Sequence, residues 1–156
     1  MKHEEENMTS AENQSSGTKA GTSNSVSLEE LAVQISARAF ANDRFIVAIV
    51  GPPGSGKSTT AATLETTLVQ KHGLKVQIVP MDGFHYDNVI LEQLGLSRKK
   101  GAPETFDVGG LETTLKRLTE SDPSEHIAIP VFDRDKDLSR ASARFINRET
   151  GVLLVE

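Results

Sequence analysis

Along the chain, segments with large apolar residues at helical spacing alternate with short runs that are apolar at every position. Leu28, Leu31 and Ile35 recur at three- and four-residue intervals behind Ser27, whose hydroxyl suits a helix start while Glu30 reaches back to it. This pattern predicts a helix ending near Asn42. Phe45 to Val50 (FIVAIV) is continuously apolar, as a strand covered on both faces must be. It runs directly into GPPGSGKS, after which Ala61, Leu64 and Leu68 restore the helical period from Lys57 until Gly73, beside His72. Lys75 to Val79 is the next strand candidate, and strand, loop, helix, strand is the βαβ unit of a parallel sheet.

Further on, Asp87 precedes a short helical stretch reaching Leu94, and Gly95 ends it. SRKKGAPETFD then reads as a polar loop punctuated by Gly and Pro. Asp107 is placed to cap a helix carrying Leu111, Leu115 and Leu118, with a turn expected at Ser121 to Glu125. Ile127 to Phe132 and Val152 to Val155 are two more strands. Residues 1 to about 26 are rich in Ser, Thr, Asn, Gln and Glu with almost no large apolar side chains, so they read as a disordered polar tail. The organised part is one α/β domain over 27–156, expected as a three-layer sandwich of helices around a mostly parallel sheet.

Composition narrows the function classes. The 156 residues are 37% hydrophobic and 25% charged, enough for one modest core. A formal net charge of −5 argues against a polyanion-binding surface, so nucleic acid is not an expected partner. The absence of Cys excludes disulfides and thiolate chemistry and fits a reducing, cytoplasmic setting. No run of 18 apolar residues exists, and MKHEEENMTS lacks the apolar core of a signal peptide, so no membrane role is expected.

The chemistry is concentrated in GPPGSGKS, Gly51 to Ser58, which matches the phosphate-binding pattern GxxxxGK[ST] between a buried strand and a helix. There the chain must wrap a phosphate with successive N–H groups and the helix N-terminus. Gly51, Gly54 and Gly56 permit the tight path, with Ser55 inside it. Lys57 is placed to neutralise the β and γ phosphates, Ser58 to offer a hydroxyl to magnesium, and Thr59 to support the phosphate contacts. The pattern therefore predicts ATP or GTP, with Mg2+. No NKxD guanine signature occurs, the nearest string being RDKD at Arg134 to Asp137, and the LSGGQ of ABC ATPases is absent. Kinases remain. PMDGFHYDN places Asp82 at the carboxyl end of the second strand, where open α/β sheets assemble their sites. A carboxylate there can accept the proton of an attacking alcohol.

Together GPPGSGKS, MDGFHYDN, RKKGAPETFDV, PVFDRDKD and VLLVE resemble the phosphoribulokinase and uridine kinase family, in the branch of uridine kinase and type I pantothenate kinase. The resemblance spans about residue 28 to the end. It implies that Asp82 and Lys57 carry catalysis, with Asp82 beside the acceptor hydroxyl as base or magnesium-linked acid. It also implies that His85 and Tyr86 lie on the acceptor side, and that Glu156 joins Ser58 in orienting magnesium or its waters. Uridine kinases show a PVYDF stretch whose Tyr and Asp touch the nucleoside; here Phe132 and Asp133 replace it, which weakens a claim for uridine. Asp133 and Arg134 are candidate acceptor contacts, against surface ion pairing among Arg134, Asp135, Lys136 and Asp137. Arg98, Lys99 and Lys100 are readable as a hold on an anionic acceptor or as a solvated basic turn, and Arg140, Arg144 and Arg148 are equally open.

Members of that family continue past the strand resembling VLLVE with a lid and nucleotide-base contacts. The chain is therefore expected to be an amino-terminal portion with an incomplete sheet and little turnover alone. The leading expectation is an ATP-dependent kinase phosphorylating a hydroxyl of a nucleoside, sugar or pantothenate-like small molecule. The alternatives are a catalytically silent nucleotide-binding fragment and, less favoured, a nucleotide hydrolase.

Overall fold

A computed structural model describes residues 25–40, 44–120 and 126–156. The polar tail up to residue 24, the helix end expected at Asn42 and the turn at Ser121 to Glu125 lie outside these residues.

The first helix, α1, spans Leu28–Ala39. Ser27 and Glu30 form the reciprocal cap foreseen from their spacing: Glu30 N–H donates to Ser27 Oγ at 3.2 Å, and Ser27 N–H donates to Glu30 Oε2 at 2.9 Å. These bonds hold the Glu30 carboxyl below its ordinary pKa, the backbone bond from Ser27 being the largest cause. Strand β1 (Phe45–Ala48) leads through the glycine-rich loop into α2 (Lys57–His72), and β2 (Val76–Val79) follows. The run FIVAIV is shorter as a strand than its composition suggests. Val50 is already 86% exposed, because the chain turns outward there into the loop.

Strand β5 (Val152–Val155) lies between β1 and β2 and pairs with both in parallel, Val47 and Ile78 each standing opposite Leu154. Successive residues of β5 point to opposite faces. On one face Val152 and Leu154 meet Ala32, Ile35 and Ala39 of α1 and Leu64 and Leu68 of α2. On the other, Leu153 meets Leu118 of α4 (Val108–Glu120) and Ile127, Ile129 and Ile146. Three layers result, and full burial of each such side chain is worth about 1.5–3 kcal/mol.

The second outer layer departs from the expected cover of helices alone. Ile127 to Phe132 does form a strand, β3 (Ile127–Asp133), but it pairs antiparallel with β4 (Leu138–Ile146), and this two-stranded ribbon packs on the sheet beside α4. Strand β4 had no sequence signal: LSRASARFI carries few apolar residues because most of the strand faces solvent. Gln77 and Arg144 fasten the ribbon to β2. Gln77 Nε2 donates to Phe145 O at 3.1 Å, Asn147 N donates to Gln77 Oε1 at 2.7 Å, and Arg144 Nη1 donates to Ile78 O at 3.2 Å.

Arg44 joins the layers at the amino end of β1. Its guanidinium donates to the carbonyls of Leu118 (2.7 Å), Thr150 (3.0 Å), Asn147 (3.2 Å) and Arg148 (3.3 Å), satisfying the end of α4 and the turn before β5. Burial alone lowers its pKa. Replacing Arg44 with Met leaves those carbonyls unpaired while keeping most of the aliphatic stem. The expected cost is about 2–3 kcal/mol in denaturant unfolding, and a loss below about 0.5 kcal/mol would show that the clamp is incidental.

Candidate active site

Because β1, β5 and β2 run parallel, their carboxyl ends open on the same side of the sheet, and the loops leaving them supply the candidate residues. The glycine-rich loop leaves β1. Gly54 and Gly56 adopt φ of 76° and 82°, a region where a side chain is strained, and a Cβ on Gly51 would meet Ser55 Oγ at 2.6 Å. The loop is exposed from Gly51 to Gly56, with Ser58 and Thr59 also open to solvent.

The N-terminus of α2 differs from those of its neighbours. In α1, the first-turn amides are served by Ser27. In α3 (Asn88–Gln93), Asp87 Oδ1 accepts from Val89 N at 2.9 Å, and in α4 Asp107 Oδ1 accepts from Gly110 N at 2.8 Å. Helix α2 starts at Gly56 with no side-chain cap and no acid in its first turn. Its opening N–H groups therefore lack an intrahelical partner and carry the positive end of the helix dipole. Among the described residues no side chain caps these amides.

Lys57 and Ser58 stand at that helix start. Lys57 Nζ donates to the carbonyls of Gly51 (3.1 Å) and Pro52 (3.2 Å), folding back over the loop. Ser58 Oγ donates to Glu156 Oε2 at 2.9 Å, so the hydroxyl and carboxylate named from sequence converge from different elements. Glu156 directly follows β5, and its carbonyl accepts from Met81 N at 2.7 Å, which ties the end of β5 to the segment carrying Asp82.

Asp82 lies in a 3-10 turn, Met81–Phe84, just past β2. This turn is pressed against β3: a Cβ on Gly83 would stand 2.5 Å from Pro130 O, and Ser139 Oγ donates to Gly83 O. The fit accounts for glycine after Asp82 and for a ribbon at this place. Asp82 Oδ2 receives Arg134 Nη2 at 2.8 Å, which brings these two candidates together.

His85 is placed differently from a free acceptor contact. Its Nδ1 is 2.9 Å from Asp82 O, and its ring lies between Phe106 and Phe132, with centroids at 3.9 and 5.1 Å. Since a carbonyl only accepts, Nδ1 carries the hydrogen and the neutral ring keeps an acceptor lone pair at Nε2. The loop read as RKKGAPETFDV reaches this point through Tyr86 N donating to Thr105 O (3.0 Å) and Asp107 N to Phe84 O (2.7 Å). Tyr86 is half-buried beside it.

The remaining candidates divide into paired and open groups. Asp133 accepts from Lys136 N (3.2 Å) and pairs with Arg140 at 3.7 Å, so it braces the β3–β4 turn. Lys100 is neither solvated nor directed to a ligand. Its Nζ reaches Asn88 Oδ1 (2.6 Å), Asp137 O (2.8 Å) and Asp137 Oδ2 (2.9 Å), and lies 5.2 Å from the Phe132 ring centre. Arg98 and Lys99 are exposed, Lys99 being paired with Glu104. Arg144 serves β2 and Arg148 lends a carbonyl to Arg44. Sequence reasoning missed Lys100, Gly83 and Ser139 as supports of the site, since their partners lie 12 to 56 residues away. No membrane-length apolar helix occurs among the described residues.

No family model matches the chain. It is 42% identical over 94 residues to the uncharacterised Escherichia coli protein YggC, covering 60% of this chain and 38% of that protein. It is 38% identical over 89 residues to pantothenate kinase of Parvibaculum lavamentivorans, covering 56% of this chain and 27% of that enzyme. The chain thus spans well under half the length of these curated relatives. A crystal structure from Silicibacter sp. TM1040, provisionally named a fructose transport system kinase, superposes with a TM-score of 0.72 at 37% identity, covering 85% of this chain and 63% of that one. The fold is that of P-loop NTPases, and the chain resembles pantothenate kinases in sequence and P-loop kinases in structure.

Two expectations test this geometry. Gly83→Ala should destabilise the protein by about 1–3 kcal/mol in denaturant unfolding, whereas an unchanged midpoint would mean that the turn is not pressed on β3. Hydrogen bonding by Lys100 depresses the Asp137 pKa below the usual carboxylate value, with Asn88 adding to the effect. A depressed carboxyl stabilises the fold above its unfolded pKa, and that contribution is lost as pH falls through the lower folded value. Protection of the amides in residues 134–137, taken relative to intrinsic exchange at each pH, should therefore fall on acidification below pH about 4, and Asp137→Asn should lower that protection already at neutral pH.

Proposed function

We propose that this relative of the uridine kinase-like P-loop kinases acts in ATP-dependent phosphoryl transfer to a hydroxyl of a small metabolite. The observation that carries the reading is the uncapped N-terminus of α2, entered through two left-handed glycines and flanked by Lys57 and Ser58. The N–H groups from Gly54 to Thr59, beyond Pro52 and Pro53 which carry none, hold the nucleotide phosphates in this reading. Lys57 exchanges the carbonyls of Gly51 and Pro52 for the β and γ phosphate oxygens, a stronger charge-assisted contact.

The donor set also fits magnesium. This ion takes oxygen ligands in an octahedral array and keeps several waters or phosphate oxygens, with one or two from protein. Ser58 Oγ and Glu156 Oε2 offer such oxygens 2.9 Å apart. Among the described residues no cluster of three or more His, Asp or Glu side chains could hold a metal by itself, which suits an ion arriving with the nucleotide. When bound, Mg2+ neutralises charge on the β and γ phosphates.

Asp82 then orients the acceptor hydroxyl and takes its proton, while His85 Nε2 and Tyr86 flank the acceptor on one side and Arg134, on the turn that Asp133 braces, on the other. Because the transferring phosphoryl group is bound loosely in the transition state, holding the two reactants in line contributes more than proton removal. The welded contact of Gly83 with β3 serves that positioning. Pantothenate, named in the relatives, heads the acceptors to assay, followed by nucleosides and sugars.

Calorimetry with magnesium ATP should show saturable binding that Lys57→Ala weakens by about tenfold or more, the loss of one charge-assisted contact. Asp82→Asn should retain binding but lower acceptor-dependent ATP consumption by at least about 100-fold. Absence of binding in the wild type, or a full rate in Asp82→Asn, would refute these roles.

A further inference from the structure

Arg134 opens the turn between β3 and β4, and among the described residues Asp82 is its one polar partner. Its side chain is 78% exposed and that of Asp82 42%, and so open a pair adds little to stability. The turn does not need Arg134 to hold its shape. Asp133 is engaged by the Lys136 amide and by Arg140, and Asp137 by Lys100, while Asp135 is exposed. Arg134 is thus a cation carried on a braced turn and presented at the carboxylate assigned to the hydroxyl.

The contact with Asp82 is made by a single nitrogen to a single oxygen. A guanidinium has five N–H donors in a rigid planar fork that matches carboxylate or phosphate oxygens in pairs. The remaining donors face solvent, next to the place where the acceptor must enter. A neutral acceptor leaves them to water, whereas an acidic one completes the fork with the strongest class of hydrogen bond. Asp82 also keeps the guanidinium close to the reacting hydroxyl, so the hydroxyl and the acid belong to one small molecule.

We propose that the acceptor is an anionic alcohol, carrying a carboxylate or phosphate besides its hydroxyl, and that Arg134 is the residue that selects it. This rests on the reading of Asp82 as the hydroxyl-binding group.

The test compares acceptors that share hydroxyls but differ in charge: glycerate with glycerol, gluconate with glucitol, pantothenate with pantothenol, and glucose 6-phosphate with glucose. They are titrated at matched ionic strength into the protein with magnesium ATP present. The 15N resonance of Arg134 Nε, assigned with Arg134→Gln, reports binding. At least one acid should shift that resonance saturably while its neutral counterpart does not. Where turnover is measurable, Arg134→Gln should cut the acid-to-neutral ratio of kcat/KM by about tenfold or more, mainly through KM, and Arg134→Lys should restore part of it. Neutral members that shift the resonance equally, or a panel in which no acid moves it, would overturn the inference. Loss of magnesium ATP binding in calorimetry would instead remove the underlying reading, so the two failures are separable.

Discussion

Strand β5 is hydrogen-bonded in parallel on both edges, to β1 and to β2, and the placing of the phosphate loop, Asp82 and Glu156 depends on that pairing. Its residues Val152, Leu153 and Leu154 are fully buried because each face of the sheet is covered, by α1 and α2 on one side and by α4 with the β3–β4 ribbon on the other. With both neighbours in register, the chain leaves β1 at the glycine loop, β2 at Asp82 and β5 at Glu156. The bonds from Met81 N to Glu156 O and from Ser58 Oγ to Glu156 Oε2 record how these three exits meet. A slip of one residue in β5 would exchange its two faces and carry Glu156 away from Ser58.

Electrostatics then divides the labour among the helices. Helices α1, α3 and α4 have first-turn amides served by Ser27, Asp87 and Asp107, whereas α2 has no side-chain cap and no acid in its own first turn, the Glu156 carboxylate beside it bonding the Ser58 hydroxyl. Leaving that end uncapped costs stability, and in the proposed function a phosphate would recover it through several N–H groups at once. The same economy of contacts is visible around Asp82. Lys100, Asp133 and Arg140 are used to fix the ribbon turn, which leaves Arg134 available at Asp82.

Much of this was legible in the chain because its causes are local. The Ser27–Glu30 cap, the buried run at Phe45, the period of Ala61, Leu64 and Leu68, and the Gly-rich loop each depend on neighbours within a few residues. Strand β4 was not legible, since a solvent-facing strand needs no apolar alternation and is held by Gln77 and Arg144 reaching across to β2. The site follows the same division. Lys57, Ser58 and Asp82 announce themselves by spacing, but the roles of Lys100, Gly83 and Ser139 arise from contacts between segments far apart in sequence. His85 shows the limit from the other side: a polar residue next to a catalytic candidate is packed between Phe106 and Phe132, with one nitrogen committed to the Asp82 carbonyl.

In the function proposed here, the backbone between Gly51 and Thr59 forms a cradle for nucleotide phosphates. Amide NMR during a titration with magnesium ATP tests it residue by residue. Saturable shifts concentrated at the amides of Gly54, Ser55, Gly56, Lys57 and Ser58 are the predicted result. Shifts confined to other parts of the chain, or none at saturating nucleotide, would contradict it.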